Sequence, residues 1–223
     1  MRVHRSVIVA AAIVVLQMIP GRAEDAPKQP ELVVEQQGRV TNIRVGGASW
    51  SGIIKEVEAL RALPADKDGE VIDKLQKELD TNPPAYIYEL TRRVCRTDPQ
   101  RAVDLFALAW HRIRYDAVRC VDKSARAGVY ATFLSLPLQE CRALDDNRFV
   151  RPALEKVLNS SDLFASKASP WWICSHGMQA IMAAMEKKTL QTSDWLKPES
   201  EWPAIRQEIL GQIDAEVKKR ARD

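Results

Sequence analysis

The sequence predicts an all-α fold: a single-domain bundle of about eight helices built around a helical hairpin at 82–122. Three observations carry that reading. Apolar residues recur at steps of three and four through most of the chain. Proline, glycine or a capping residue divides the successive periodic segments. The connections are short, which favours antiparallel neighbours.

The hairpin opens with Asn82-Pro83-Pro84, where Asn82 is suited to cap a helix carrying Ile87, Leu90 and Val94 on one face. Asp98-Pro99 ends that helix and caps the next by the same device. The second helix is predicted to run from Gln100 to Cys120, with Val103, Phe106, Trp110, Ile113, Ala117 and Cys120 on one stripe. Leu105, Leu108 and Ala109 widen the stripe, so its first half needs neighbours on several sides. The run Ala102-Val103, Phe106-Ala107 and Trp110 resembles a tetratricopeptide-type unit over about 40 residues. The second helix is much longer than in such units and the pattern does not recur at a fixed period, so the resemblance implies only a helical hairpin.

Before the hairpin, Ile53, Ile54, Val57, Leu60 and Leu63 form one amphipathic helix ending at Pro64. Val71, Ile72, Leu75 and Leu79 form the next. After the hairpin, Asp122 or Ser124 caps a fifth helix bearing Val129, Phe133 and Leu136, stopped by Pro137. Leu154 and Val157 mark a helix over 151–158. Ser169-Pro170 opens a long helix to Lys187, with Trp171, Cys174, Met178, Ile181 and Met185 on its core stripe and Ile173, Gly177, Ala180 and Ala184 beside them. The last helix starts near Glu199 and carries Trp202, Ile205, Ile209, Ile213 and Val217. Its final Lys218-Lys219-Arg220 suits the negative end of the helix dipole. Residues 24–48 read as an extended or flexible lead-in, with a short β-hairpin or extended arm formed by 32–34 and 40–45. The helical domain is 49–223.

The first 23 residues match a secretory signal peptide: Arg2 and Arg5, the apolar run 7–19, and small residues ahead of a cleavage site after Ala23. The expected location is therefore periplasmic or secreted, with no membrane span in the mature chain. Loss of Arg2, Arg5 and Arg22 takes the formal charge from +3 to zero, which removes any general attraction to nucleic acid. All four cysteines lie beyond the leader, where an oxidising compartment favours two disulfides over free buried thiols. Four cysteines allow three connectivities. Cys95 and Cys120 lie at opposite ends of the hairpin, about 30 Å apart. The returning fifth helix brings Cys141 to Cys95, which leaves Cys120 with Cys174.

Chemistry is scarce. Only His111 and His176 follow the leader, and no metal-ligand spacing, phosphate loop or nucleophile elbow occurs. No cofactor is expected. Cys174 and His176 are two apart and point to different faces of a helix, so they cannot form a thiolate dyad unless the helix breaks. Asp145-Asp146 and Glu199/Glu201 are carboxylate pairs, at a loop and a helix start where acids commonly cap. On the central helix, His111, Arg112, Asp116 and Arg119 form a polar cluster in which both guanidiniums can reach Asp116. It reads as an internal ion network, or as the floor of a pocket for an anionic group. Trp171 belongs to the core stripe, so Trp172, with Trp195 and Trp202, is the candidate partner-binding patch. The reading favoured is a non-enzymatic, exported protein that binds another envelope or secreted protein as adaptor, inhibitor or immunity protein. The alternative is an envelope hydrolase or anionic-ligand binder using the His111 cluster.

Overall fold

The computed structural model describes residues 49–134 and 141–222 with their side chains, and the backbone of 32–37 and 40–45. The leader, most of the lead-in and the Leu136-Pro137 helix end lie outside the described residues. Strands β1 (Leu32–Gln37) and β2 (Val40–Val45) pair antiparallel, Leu32 opposite Val45 and Gln37 opposite Val40.

Ten α-helices follow among the described residues: α1 (Trp50–Arg61), α2 (Asp68–Lys77), α3 (Ala85–Val94), α4 (Pro99–Arg119), α5 (Ala127–Leu134), α6 (Asn147–Leu158), α7 (Trp171–Cys174), α8 (Met178–Met185), α9 (Thr192–Trp195) and α10 (Trp202–Arg220). From Trp50 on the described residues form an all-helical domain, as predicted, and its packing centres on α3, α4, α6 and α10. Asp98 caps α4 by accepting from the Arg101 N–H at 3.0 Å, and Pro99 occupies the first turn. Asn82 does not cap α3. Its amide donates to Glu78 Oε2 at 2.8 Å, and Pro84 precedes the helix without a side-chain cap.

The second helix of the hairpin runs along the core as predicted, but α3 is enclosed on more sides than its sequence suggests. Ile87, Leu90 and Val94 are buried, and so are Tyr88, Glu89, Thr91 and Arg93. Each aliphatic side chain so buried contributes about 1.5–3 kcal/mol. The polar ones are tolerated because they have internal partners. The Thr91 hydroxyl donates back to Ile87 O at 2.9 Å. Arg93 Nε donates to Glu89 Oε1 at 2.7 Å, and its other nitrogens reach Asp68 and Leu60 O. Arg92 closes the second side of the Glu89 carboxylate at 2.8 and 3.0 Å.

On the other flank, Leu154 and Val157 of α6 and Ile205, Ile209 and Ile213 of α10 are buried in the common core. At the end of α4, the chain before α10 runs alongside: Val121 N donates to Trp195 O, and Lys197 N to Arg119 O, both at 2.9 Å. Two disulfides join Cys95 to Cys141 and Cys120 to Cys174, the pairing deduced from the hairpin. They span separations of 46 and 54 residues. Loop closure of that size stabilises by roughly 2–4 kcal/mol per bridge. Two bridges are consistent with an oxidising compartment. No helix among the described residues is long and apolar enough to cross a membrane.

The predicted helix from Trp171 to Lys187 is two helices. It breaks at Ser175–Gly177, where Gly177 is extended at φ −70° and ψ 150°. The break resets the helical phase, and with it the buried face. Beyond it the core residues are Ala180 and Ala183, while Met178 and Met185, expected inside, are exposed.

Candidate functional site

The four residues of the predicted cluster on α4 are all buried, and they do not form one site. Asp116 pairs with Arg119, and its Oδ2 accepts from the Trp172 indole N–H at 2.9 Å. Burial raises the Asp116 pKa, while the Arg119 charge, the Trp172 and Arg119 hydrogen bonds and the Arg112 charge pull it down. Arg119 lies between two aromatic faces, 4.2 Å from the Tyr115 ring centroid and 4.8 Å from that of Trp202.

Arg112 does not reach Asp116 by hydrogen bond, contrary to expectation. It clamps two loops instead. Its nitrogens donate to Asp162 O at 3.1 and 2.6 Å, to Leu79 O at 2.8 Å and to Asp80 Oδ1 at 2.7 Å. The planar fork suits that duty, since it makes four hydrogen bonds to three acceptors on two segments. His111 is buried, and desolvation aided by the Arg114 charge lowers its pKa to about 3. It is neutral at physiological pH and its Nδ1 has no hydrogen-bond partner.

The tryptophan patch is also corrected. Trp172 is 0% exposed and Trp195 is buried. Trp202 is partly buried over Arg119 and donates to Lys197 O at 3.0 Å. Trp171, assigned to the core, is less enclosed than its neighbour and packs edge-on to Trp195 at 5.1 Å. The assignment reverses because α7 is a single turn, so the stripe traced back from Met178 does not extend through it.

The helix does break between Cys174 and His176, the one condition under which a dyad was conceivable. Cys174 is nevertheless held in its disulfide and offers no thiolate. His176 packs edge-on to Trp50 at 4.8 Å. Among the carboxylate pairs, Asp146 caps α6 and holds Arg148, while Glu199 and Glu201 lie in the 3-10 turn before α10. Among the described residues, no three His, Cys, Asp or Glu side chains come together as a metal site.

The surface feature that the periodicity concealed is α8. Met178, Met182 and Met185 are 56%, 54% and 62% exposed. At 100° per residue they fall within about 60° of arc. Asp122 fixes the start of this helix: its Oδ2 accepts from the Gln179 N–H at 2.8 Å, while its Oδ1 accepts from the Ser124 N–H and hydroxyl. Ser124 Oγ in turn accepts from the Met178 N–H at 2.8 Å. Burial raises the Asp122 pKa, but these hydrogen bonds outweigh it and hold the carboxyl below its usual range. A shallow groove runs beside the methionines, walled by Met178, Met182, Ala183 and Leu190. The Lys188 and Glu186 charges on its rim pair with each other at 2.6 Å. Sequence reasoning missed this face because methionine at helical spacing usually marks a core. The signal available was Gly177, which ends one helical phase and starts another. Known protein families, curated proteins and solved structures offer no match to this chain.

Proposed function

We propose that this chain is an exported, non-enzymatic helical protein, periplasmic or secreted, that binds another protein of the bacterial envelope as an adaptor, inhibitor or immunity-type partner. The observation that carries the reading is the exposed methionine row of α8 beside its apolar groove. Flexible thioether side chains adapt to an incoming apolar surface without a fixed shape of their own. The charges on the rim are already satisfied inside the protein, Lys188 by Glu186 and Asp122 by backbone and hydroxyl donors. The groove thus asks for no countercharge, and the occupant that fits is an uncharged apolar face, such as one side of an amphipathic helix. Two disulfides and a bundle with a buried ion network supply a rigid platform for it.

The alternative, a hydrolase or anionic-ligand binder using His111, Arg112, Asp116 and Arg119, draws less support. Those guanidiniums are committed to internal acceptors, and His111 is held neutral by burial. The test is photo-crosslinking with a benzophenone side chain at position 182 of the oxidised protein in an envelope extract, beside a Met182→Lys competitor. The expected result is one cross-linked protein, joined through an apolar helical segment and displaced by excess wild type but not by M182K. No cross-link, or equal displacement by M182K, overturns the assignment of this face.

A further inference from the structure

We infer that the methionine row of α8 binds a soft monovalent cation of the Cu(I) or Ag(I) class, with Met182 as the shared ligand of two overlapping thioether pairs. The chain has five methionines, and the three that lie outside the first 23 residues are all in this row. All three are more than half exposed, so none of them is needed to fill the core. The cysteines are consumed in disulfides, which leaves these thioethers as the remaining soft sulfur donors. Thioethers select Cu(I) over the hard cations that prefer oxygen, and they need no deprotonation to bind it.

Spacing decides how the row can act. Met178 and Met182 are four residues apart, and Met182 and Met185 three apart. Such pairs have Cβ atoms about 5–6 Å from each other. Two unbranched side chains at that distance can bring both sulfurs to one ion held between them. Met178 and Met185 stand about 10.5 Å apart along the axis, a gap their side chains can scarcely bridge without Met182. The middle residue therefore belongs to both pairs and each outer residue to one. A bound ion would lie where a partner's apolar face docks, so the two would exclude each other. The ion site itself does not depend on the docking proposal.

The experiment is an Ag(I) titration of the oxidised mature chain, methyl-labelled at methionine, in chloride-free buffer and without any partner. Three methionine methyl resonances are expected, and all three should move together with the added ion. Met182→Leu should weaken binding by about tenfold or more, equivalent to about 1.4 kcal/mol. Met178→Leu and Met185→Leu should each weaken it by only about twofold, because one of the two pairs survives. Leucine on an exposed helix face preserves the fold, and a melt of each variant in the absence of Ag(I) checks this. Methyl signals that ignore Ag(I), or a Met182→Leu protein that binds like wild type, overturn the site. Neither result bears on the cross-linking test, which contains no added metal.

Discussion

A Cβ placed on Gly177 stands 2.6 Å from Asp122 Oδ2, closer than real side-chain carbons approach. The same carboxylate caps α8 and the 3-10 turn at Lys123–Arg126. Gly177 thus admits the group that starts the helix, which is why the chain breaks here rather than running on from Trp171. Gly177→Ala should cost about 1–3 kcal/mol by forcing the two apart. Asp122→Ala should cost about 1–2 kcal/mol through the lost cap. The double variant should cost less than the sum, since the clash vanishes with the carboxylate. Urea denaturation of the four proteins checks this. Additive losses would mean that Gly177 is needed for some other reason.

Lys187 ends α8 in the left-handed region at φ 54°. Its N–H reaches Ala184 O at 3.1 Å and the Lys188 N–H reaches Ala183 O at 2.8 Å, the two bonds of a Schellman cap. Glycine takes that conformation without the Cβ penalty. Lys187→Gly should therefore raise stability by about 0.5–1 kcal/mol despite the lost side chain. A lower melting temperature would show that the Lys187 side chain contributes more than its backbone costs.

The Glu89 and Arg112 ion networks differ in what they join. Glu89, Arg92 and Arg93 lie within α3, tied outward to Asp68 and Leu60 O. Arg112 ties α4 to Leu79, Asp80 and Asp162. Removing Glu89 takes from Arg92 and Arg93 the buried carboxylate they share, with Asp68 and Leu60 O left to Arg93, and removing Arg112 takes the donor from the Leu79 and Asp162 carbonyls. Glu89→Ala should cost about 3–5 kcal/mol, and Arg112→Ala about 3 kcal/mol. Arg112→Lys should recover only part of the loss, because a compact ammonium lacks the planar fork that makes four hydrogen bonds to these three acceptors. Thermal melts decide it. An Arg112→Ala protein that melts like wild type but loses binding or hydrolysis of an anionic substrate would favour the ligand reading.

The helical class, the Asp98 cap and both disulfide pairs were legible because each rests on local periodicity or on hairpin geometry alone. The interior of α3 was not. Glu89 with Arg92 and Arg93 looks like an exposed face by composition, yet the i, i+3 and i, i+4 spacing was the available sign that the charges could satisfy one another inside. Arg112 was placed on Asp116 by the same spacing rule and went elsewhere. The rule says which residues can meet on one helix, not which loops arrive from outside with better acceptors. Trp171 and Trp172 were inverted because a stripe was carried across Gly177. A single glycine can end a helical phase, and no count of apolar steps reveals that.

Acid should destabilise the protein through His111. Its folded pKa of about 3 lies below the ordinary value of 6.5. The unfolded chain therefore binds a proton that the folded chain refuses, and stability falls as pH drops from about 6.5 toward 3. A group shifted this far contributes a loss of roughly 2–3 kcal/mol between pH 7.5 and 4.5. His176, lowered by burial, acts in the same direction. Asp116 opposes both: its raised pKa lets the folded state take a proton first, which adds stability as pH falls through that value. The total slope mixes these signs, so the comparison that isolates His111 is wild type against His111→Asn, a neutral side chain that does not titrate. Urea midpoints at several pH values should show the variant losing less stability than wild type on acidification, with the gap opening below about pH 6.5. Parallel curves would mean that His111 protonates in place without disturbing the core, and that the acid sensitivity of the fold resides elsewhere.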